Sequence, residues 1–105
     1  MISESIAIST YDTIDKNANT ICAKAADELL TISDITASFV LGNTGENITI
    51  SGRSIGDINV QVILEKLGGG GHITLAGAQL TDMTIDEAKT ELINRLNEYF
   101  TEISD

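Results

Sequence analysis

Gly68-Gly69-Gly70-Gly71-His72 sets four consecutive residues without a Cβ directly before the sole histidine of the chain. Ordering a glycine costs about 0.5–1 kcal/mol more than ordering an alanine in a regular element, so neither a helix nor a core strand is built from such a run without reason. A run like this is either a loose linker or a place where backbone comes very close to a ligand. Amphipathic Asn59 to Leu67 precedes it and Ala76-Gly77-Ala78 follows. The glycines are therefore built into a domain rather than strung between two.

The length of 105 residues fits one domain, residues 1–105, and a hydrophobic fraction of 42% supports a single core. Absence of proline and tryptophan favours a compact α/β module. A single cysteine, Cys22, cannot form an internal disulfide and points to a reducing compartment. The apolar runs fall short of the about 20 residues a membrane span needs, and no basic segment opens the chain. The expectation is a soluble, cytoplasmic domain. Sixteen acidic against six basic residues give a net charge of −10, which disfavours long nucleic acid along a basic face. From Ile48 to Thr81, however, Asp57 and Glu65 balance Arg53 and Lys66. A small phosphate ligand is tolerated in that neutral stretch.

Hydrophobic periodicity orders the elements. Ser5 to Ser9 alternates and reads as a short strand. Asn17 is placed to cap a helix whose stripe is Ala18, Ile21, Cys22, Ala25, Ala26, Leu29 and Leu30. Cys22 on that stripe is a buried, inert thiol. Ile35 to Leu41 and Asn47 to Arg53 flank a turn-rich spacer and read as an antiparallel hairpin. Gly52 follows Ile48 and Ile50 on the apolar side, where backbone approaches closely. Asp57 or Asn59 caps a short helix with Val60, Ile63, Leu64 and Leu67 on one face. Ile73 to Ala78 is read as a short turn of helix, with a brief strand over Gln79 to Thr81. Thr84-Ile85-Asp86-Glu87 is a capping box opening a final helix. The fold class is a small α/β (α+β) domain, a mixed sheet covered by helices in the order β-α-β-β-α-(α/β)-α.

Gly68 suits the left-handed position that ends a helix at Leu67, which leaves three glycines over. Successive glycine amides can curl into a nest that donates to an anion. A helical turn opened by Gly71-His72 would add its free amides, and His72 a further donor. The alternative is a flexible hinge followed by a histidine packed on the core. Arg53, the only arginine outside the final helix, stands beside Ser51 and Ser54. A guanidinium fork flanked by hydroxyls is suited to phosphate, although an exposed edge-strand arginine looks the same in sequence. Neither a Walker loop nor a Gly-x-Gly-x-x-Gly fingerprint is present. One histidine and one core-facing cysteine cannot build a zinc site, and no catalytic triad can be argued from Ser51, His72 and Asp57. The residues point to a chain that binds and does not itself carry out metal-assisted hydrolysis.

Ser51-Gly52-Arg53-Ser54, Ile58-Asn59-Val60, Gly68 to His72 and Ala76-Gly77-Ala78 together resemble the DHH-associated domain. This is the C-terminal substrate-binding domain of DHH-superfamily phosphoesterases. The run Arg53 to Leu67 and Gly77-Ala78-Gln79 are most similar to the membrane-bound, GdpP-type cyclic-di-AMP phosphodiesterases of Firmicutes. The resemblance implies a two-part enzyme that hydrolyses cyclic-di-AMP to linear pApA. Its manganese ions sit in an N-terminal DHH domain absent from this chain, so no catalytic residue, metal ligand or cofactor is expected here. Phosphate binding is implied for Arg53, Gly68, Gly69, Gly70, Gly71 and His72, and secondarily for Ser54 and Asn59. The implied partners are a cyclic dinucleotide or short oligonucleotide and the DHH domain in cis. A membrane-anchored parent and a homodimer formed through it are implied as well. Two alternatives stay open. One is the same domain from an oligoribonuclease or 3′-phosphoadenosine-5′-phosphate phosphatase; the other is a non-enzymatic RNA-binding or assembly module like the C-terminal domain of alanyl-tRNA synthetases.

Overall fold

The computed structural model describes residues 5–104, and the side chains of 5–103. Strand β1 (Ile6–Ile14) leads into helix α1 (Ala18–Leu29), which returns the chain to β2 (Ala37–Asn43) parallel to β1. β1 runs five residues past the expected strand. A register shift between Tyr11 and Ile14 keeps it beside β2, and Asp15 N–H then bonds to Asn43 O at 2.9 Å. Asn17 does occupy the N-cap of α1, but its side chain makes no capping bond. Asp15 acts instead, its Oδ1 accepting from Asn17 N–H at 2.8 Å in an Asx-type turn.

β2 and β3 (Ile48–Ser54) form the expected hairpin, in unbroken register from Ala37↔Ser54 to Asn43↔Ile48. Thr44 Oγ1 closes its loop by accepting from Glu46 and Asn47 N–H. Asn59, rather than Asp57, caps α2 (Val60–Glu65), its Oδ1 accepting from Val62 N–H at 3.1 Å. The capping box of α3 (Ile85–Ser104) is complete. Glu87 N–H donates to Thr84 Oγ1, and Thr84 N–H to Glu87 Oε1.

One segment departs from expectation. Residues 73–78 form no helical turn; Gly70–Gly71 is a short strand, β4, that pairs antiparallel with β5 (Leu75–Leu80). β5 in turn pairs with β3 from Ile48↔Leu80 to Arg53↔Leu75. Ala76, Ala78 and Leu80 are buried while Leu75 and Gln79 are exposed, the period-two pattern of a strand. Alanine favours helix in isolation, but β3 offers a row of unpaired backbone groups that β5 satisfies.

The sheet order is β1-β2-β3-β5-β4. Helices α2 and α3 cover one face, where Phe39, Leu41, Ile50, Ile63, Leu64, Leu92 and Leu96 form the main core. Gly52 keeps that packing close: a Cβ would lie 3.0 Å from Phe39 and 3.1 Å from Leu64, and those side chains would have to give by a few tenths of an ångström. On the other face α1 lies over β2 and β3, with Ala18, Cys22 and Ala26 fully buried. Ser38, buried on that face, donates its hydroxyl to Ala26 O at 2.7 Å. This is the mixed α/β architecture that the pattern of elements required. No helix among the described residues is long and apolar enough to cross a membrane.

Candidate functional site

A left-handed Gly68, at φ 85°, ends the short α2 helix. Gly68 N–H donates to Glu65 O and Gly69 N–H to Leu64 O, the paired bonds of a Schellman cap. The chain then crosses against β5 so closely that a Cβ on Gly69 would strike the Gly77 carbonyl and lie 2.7 Å from Ala78 Cβ. Gly71, at φ 147°, would put a Cβ 2.6 Å from Ala76 Cα. His72 N–H donates to Leu75 O at 2.7 Å and Leu75 N–H returns to His72 O at 3.3 Å, closing a two-residue turn over Ile73-Thr74. That tip is tied down by Ser54 N–H to Thr74 O and Val60 N–H to Ile73 O.

These bonds correct the expected mode of anion binding. The amides of Gly68, Gly69 and His72 are all committed to carbonyls of the chain, and Gly71-His72 opens no helix. The glycine run is a strap, pressed onto β5 where side chains would not fit. Its polar reach lies in the side chains around it.

Arg53 and Leu75 are partners across β3 and β5, and His72 bonds to Leu75 from the far side. Arg53, Leu75 and His72 thus form one row across β3, β5 and the residue that follows β4, with the outer two about 10 Å apart at the Cα atoms given the usual strand spacing. His72 is exposed. Arg53 is held with Nε donating to Asp27 Oδ1 at 2.8 Å and one Nη to Gly52 O at 2.9 Å. Its other Nη makes no bond among the described residues. The fork is oriented by α1 and keeps a donor in hand.

Ser54 lies on the face opposite Arg53, as successive strand residues must, so only Ser51 shares the arginine's side. Ser54 Oγ donates to Ile58 O at 2.7 Å and accepts from Gly56 N–H. Asn59 spends its Oδ1 on the helix cap. Both are engaged in holding the loop that supports the hairpin tip.

A cleft of about 550 Å³ opens between α1 and the strap. Asn19, Thr49, Gly68, Gly69, Gly70, Gly77, Ala78 and Gln79 line it. Three glycines of the strap reach it, while Arg53 and His72 stand at the neighbouring row. Asn19, Thr49 and Gln79 were not singled out from sequence, because only the β3–β5 pairing brings Gln79 opposite Thr49. Among the described residues no three His, Cys, Asp or Glu side chains group as a metal site, so no step through a metal is derived from this chain. Cys22 is fully buried, and burial pushes its thiol pKa up.

Residues 5–102 match the DHHA1 domain. The chain is 48% identical over 96 residues to the cyclic-di-AMP phosphodiesterase GdpP of Geobacillus thermodenitrificans, covering 90% of this chain and 15% of that protein. It is 45% identical over 98 residues to the cyclic-di-AMP phosphodiesterase PdeA of Listeria monocytogenes, covering 92% and 15%. An exopolyphosphatase-related protein from Bacteroides fragilis shares the fold, with a TM-score of 0.74 at 20% identity over 92% of this chain and 31% of that one. The chain thus corresponds to about one-seventh of the length of these curated phosphodiesterases. On the length and strength of that match, the chain belongs to the DHHA1 domain family.

Proposed function

We propose that this domain is the substrate-binding part of a GdpP-type cyclic-di-AMP phosphodiesterase, which holds the phosphates of the cyclic dinucleotide or of its linear product pApA. In this reading a DHH domain of the same protein holds the manganese and breaks the bond, and the parent is membrane-anchored with this domain in the cytoplasm. The observation that supports it most is the row Arg53–Leu75–His72 beside the glycine strap. It sets a guanidinium with an unspent donor and an exposed imidazole on either side of one strand. Arg presents donors in a planar fork suited to phosphate, and an imidazole ring adds an N–H donor. Gly68, Gly69, Gly70 and Gly71 serve by clearance, letting phosphate oxygens approach the strap. Ser54 and Asn59 serve by fixing the loop under the hairpin tip.

The net charge of −10 fits a ligand with two phosphates better than a long polyanion, whose repeated charges would meet the acidic flanks. Competition binding separates the classes. A labelled cyclic-di-AMP probe should be displaced by unlabelled cyclic-di-AMP and by pApA, and not by poly(A) at the same nucleotide concentration. Displacement by poly(A) alone would assign the domain to RNA and overturn the reading.

A further inference from the structure

Leu75, Gly77 and Gln79 alternate along one face of β5, from the Arg53–His72 row at Leu75 to the cleft lined by Gly77 and Gln79. The phosphate reading uses the glycine side of that cleft and leaves Asn19, Thr49 and Gln79 without a role. Its lining contains no charged side chain, so the side away from the strap suits a neutral ring. Its volume of about 550 Å³ is that of a small-molecule site.

The polar groups at this end are arranged. Thr49, 1% exposed, donates its hydroxyl to Asn19 Oδ1 at 3.0 Å. That bond fixes the Asn19 amide with its NH₂ left to donate. Gln79 is exposed on the floor and makes no side-chain bond among the described residues. Ser51, 4% exposed and directly across from Gly77, holds a hydroxyl that also has no partner among them. Gly70 differs from its neighbours in the strap. Its φ is outside the left-handed range, and a Cβ there would meet nothing within 4 Å. The chain's own packing does not require that glycine; what a side chain would fill is the cleft. Gly77 faces it across the β4–β5 pair.

We infer that the cleft takes the adenine base of the nucleotide, with Gln79 pairing to its N6–N7 edge and Asn19 NH₂ donating to a ring nitrogen. Adenine offers a donor and an acceptor side by side, the pattern a carboxamide matches with two bonds. Gly70 and Gly77 leave room for the ring between strap and α1. Thr49 and Arg53 are four residues apart on β3, about 13 Å at the rise of a strand, a span that a nucleotide and the side chains at its two ends can bridge. The inference rests on the nucleotide reading above and extends it to the base.

The test is an NMR titration of the ¹⁵N-labelled chain with AMP and, separately, ribose 5-phosphate. It follows the side-chain amides of Asn19 and Gln79 and the backbone signals of His72 and Arg53. AMP should shift all four; ribose 5-phosphate should shift only His72 and Arg53. Gln79→Ala should raise the Kd for AMP at least about fivefold, the lower end for losing a two-bond base contact, and leave that for ribose 5-phosphate unchanged. If AMP shifts His72 and Arg53 while Asn19 and Gln79 stay still, the base site is rejected and the phosphate site stands. If neither ligand shifts His72 or Arg53, the phosphate reading falls, and the base site that rests on it falls too.

Discussion

The four glycines of the strap are not equivalent, and substitution separates them. Gly69→Ala would drive a methyl into the Gly77 carbonyl and Ala78, and should cost about 1–3 kcal/mol as overpacking does. Gly70→Ala meets no atom of the chain and should stay within about 0.5 kcal/mol of wild type. Urea denaturation of the two variants checks the contrast; equal losses would mean that Gly70 also packs against the chain. Arg53 is a second residue whose part in binding can be parted from stability. Its ion pair with Asp27 is to a 63% exposed partner and contributes about 0–1 kcal/mol, but the Arg53 side chain is itself 11% exposed and its truncation also loses the packing of its stem. Arg53→Ala should therefore cost about 1–2 kcal/mol in urea denaturation while weakening pApA binding at least about tenfold, as loss of a charge-assisted contact does. An unchanged Kd would remove Arg53 from the site.

At the scale of elements, the caps of α2 and α3 and the hairpin were legible in the sequence, while the Asn17 capping bond and the β4–β5 pair were not. Thr84 and Glu87 announce a helix start by local chemistry alone, and the reciprocal bonds form. Asn59 likewise caps by reaching Val62 three residues on. Thr84→Ala and Asn59→Ala should each cost about 1 kcal/mol, read as a fall in melting temperature of about 4–8 °C for a domain of this size. Residues 73–78 carry no comparable local signal. Ala76-Gly77-Ala78 becomes a strand only because β3 lies beside it, a contact made across more than twenty residues. The same gap hid part of the site. Arg53, Gly68 to Gly71 and His72 stood out by composition, whereas Asn19, Thr49 and Gln79 are ordinary residues until three elements bring them to one cleft. The nest failed for a related reason: which amides are free depends on pairing that the glycine run does not encode.

Across the whole molecule, the sheet divides its two faces between stability and binding. The face under α2 and α3 holds the main core, so Leu92→Ala there should destabilise by about 2–5 kcal/mol, measured by denaturant unfolding. The α1 face is covered over β2 and β3 and left open over β5, where the cleft lies. Cys22 belongs to the closed part. Its raised pKa means that the folded state favours the neutral thiol, so this contribution to stability is full at neutral pH and declines as pH rises through the alkaline range. A thiol reagent at pH 8 should therefore label Cys22 only after unfolding; rapid labelling of the native chain would contradict its burial.

The central claim is that the strap and the Arg53–His72 row hold nucleotide phosphate. Titration of the ¹⁵N-labelled chain with pApA, read at the backbone amides of residues 68–72 and at the Arg53 guanidinium, tests it most directly. Saturable shifts at both places, lost in Arg53→Ala while the rest of the spectrum stays native, are the result expected. Shifts confined to other parts of the surface, with residues 68–72 and Arg53 unmoved at saturating pApA, would contradict it.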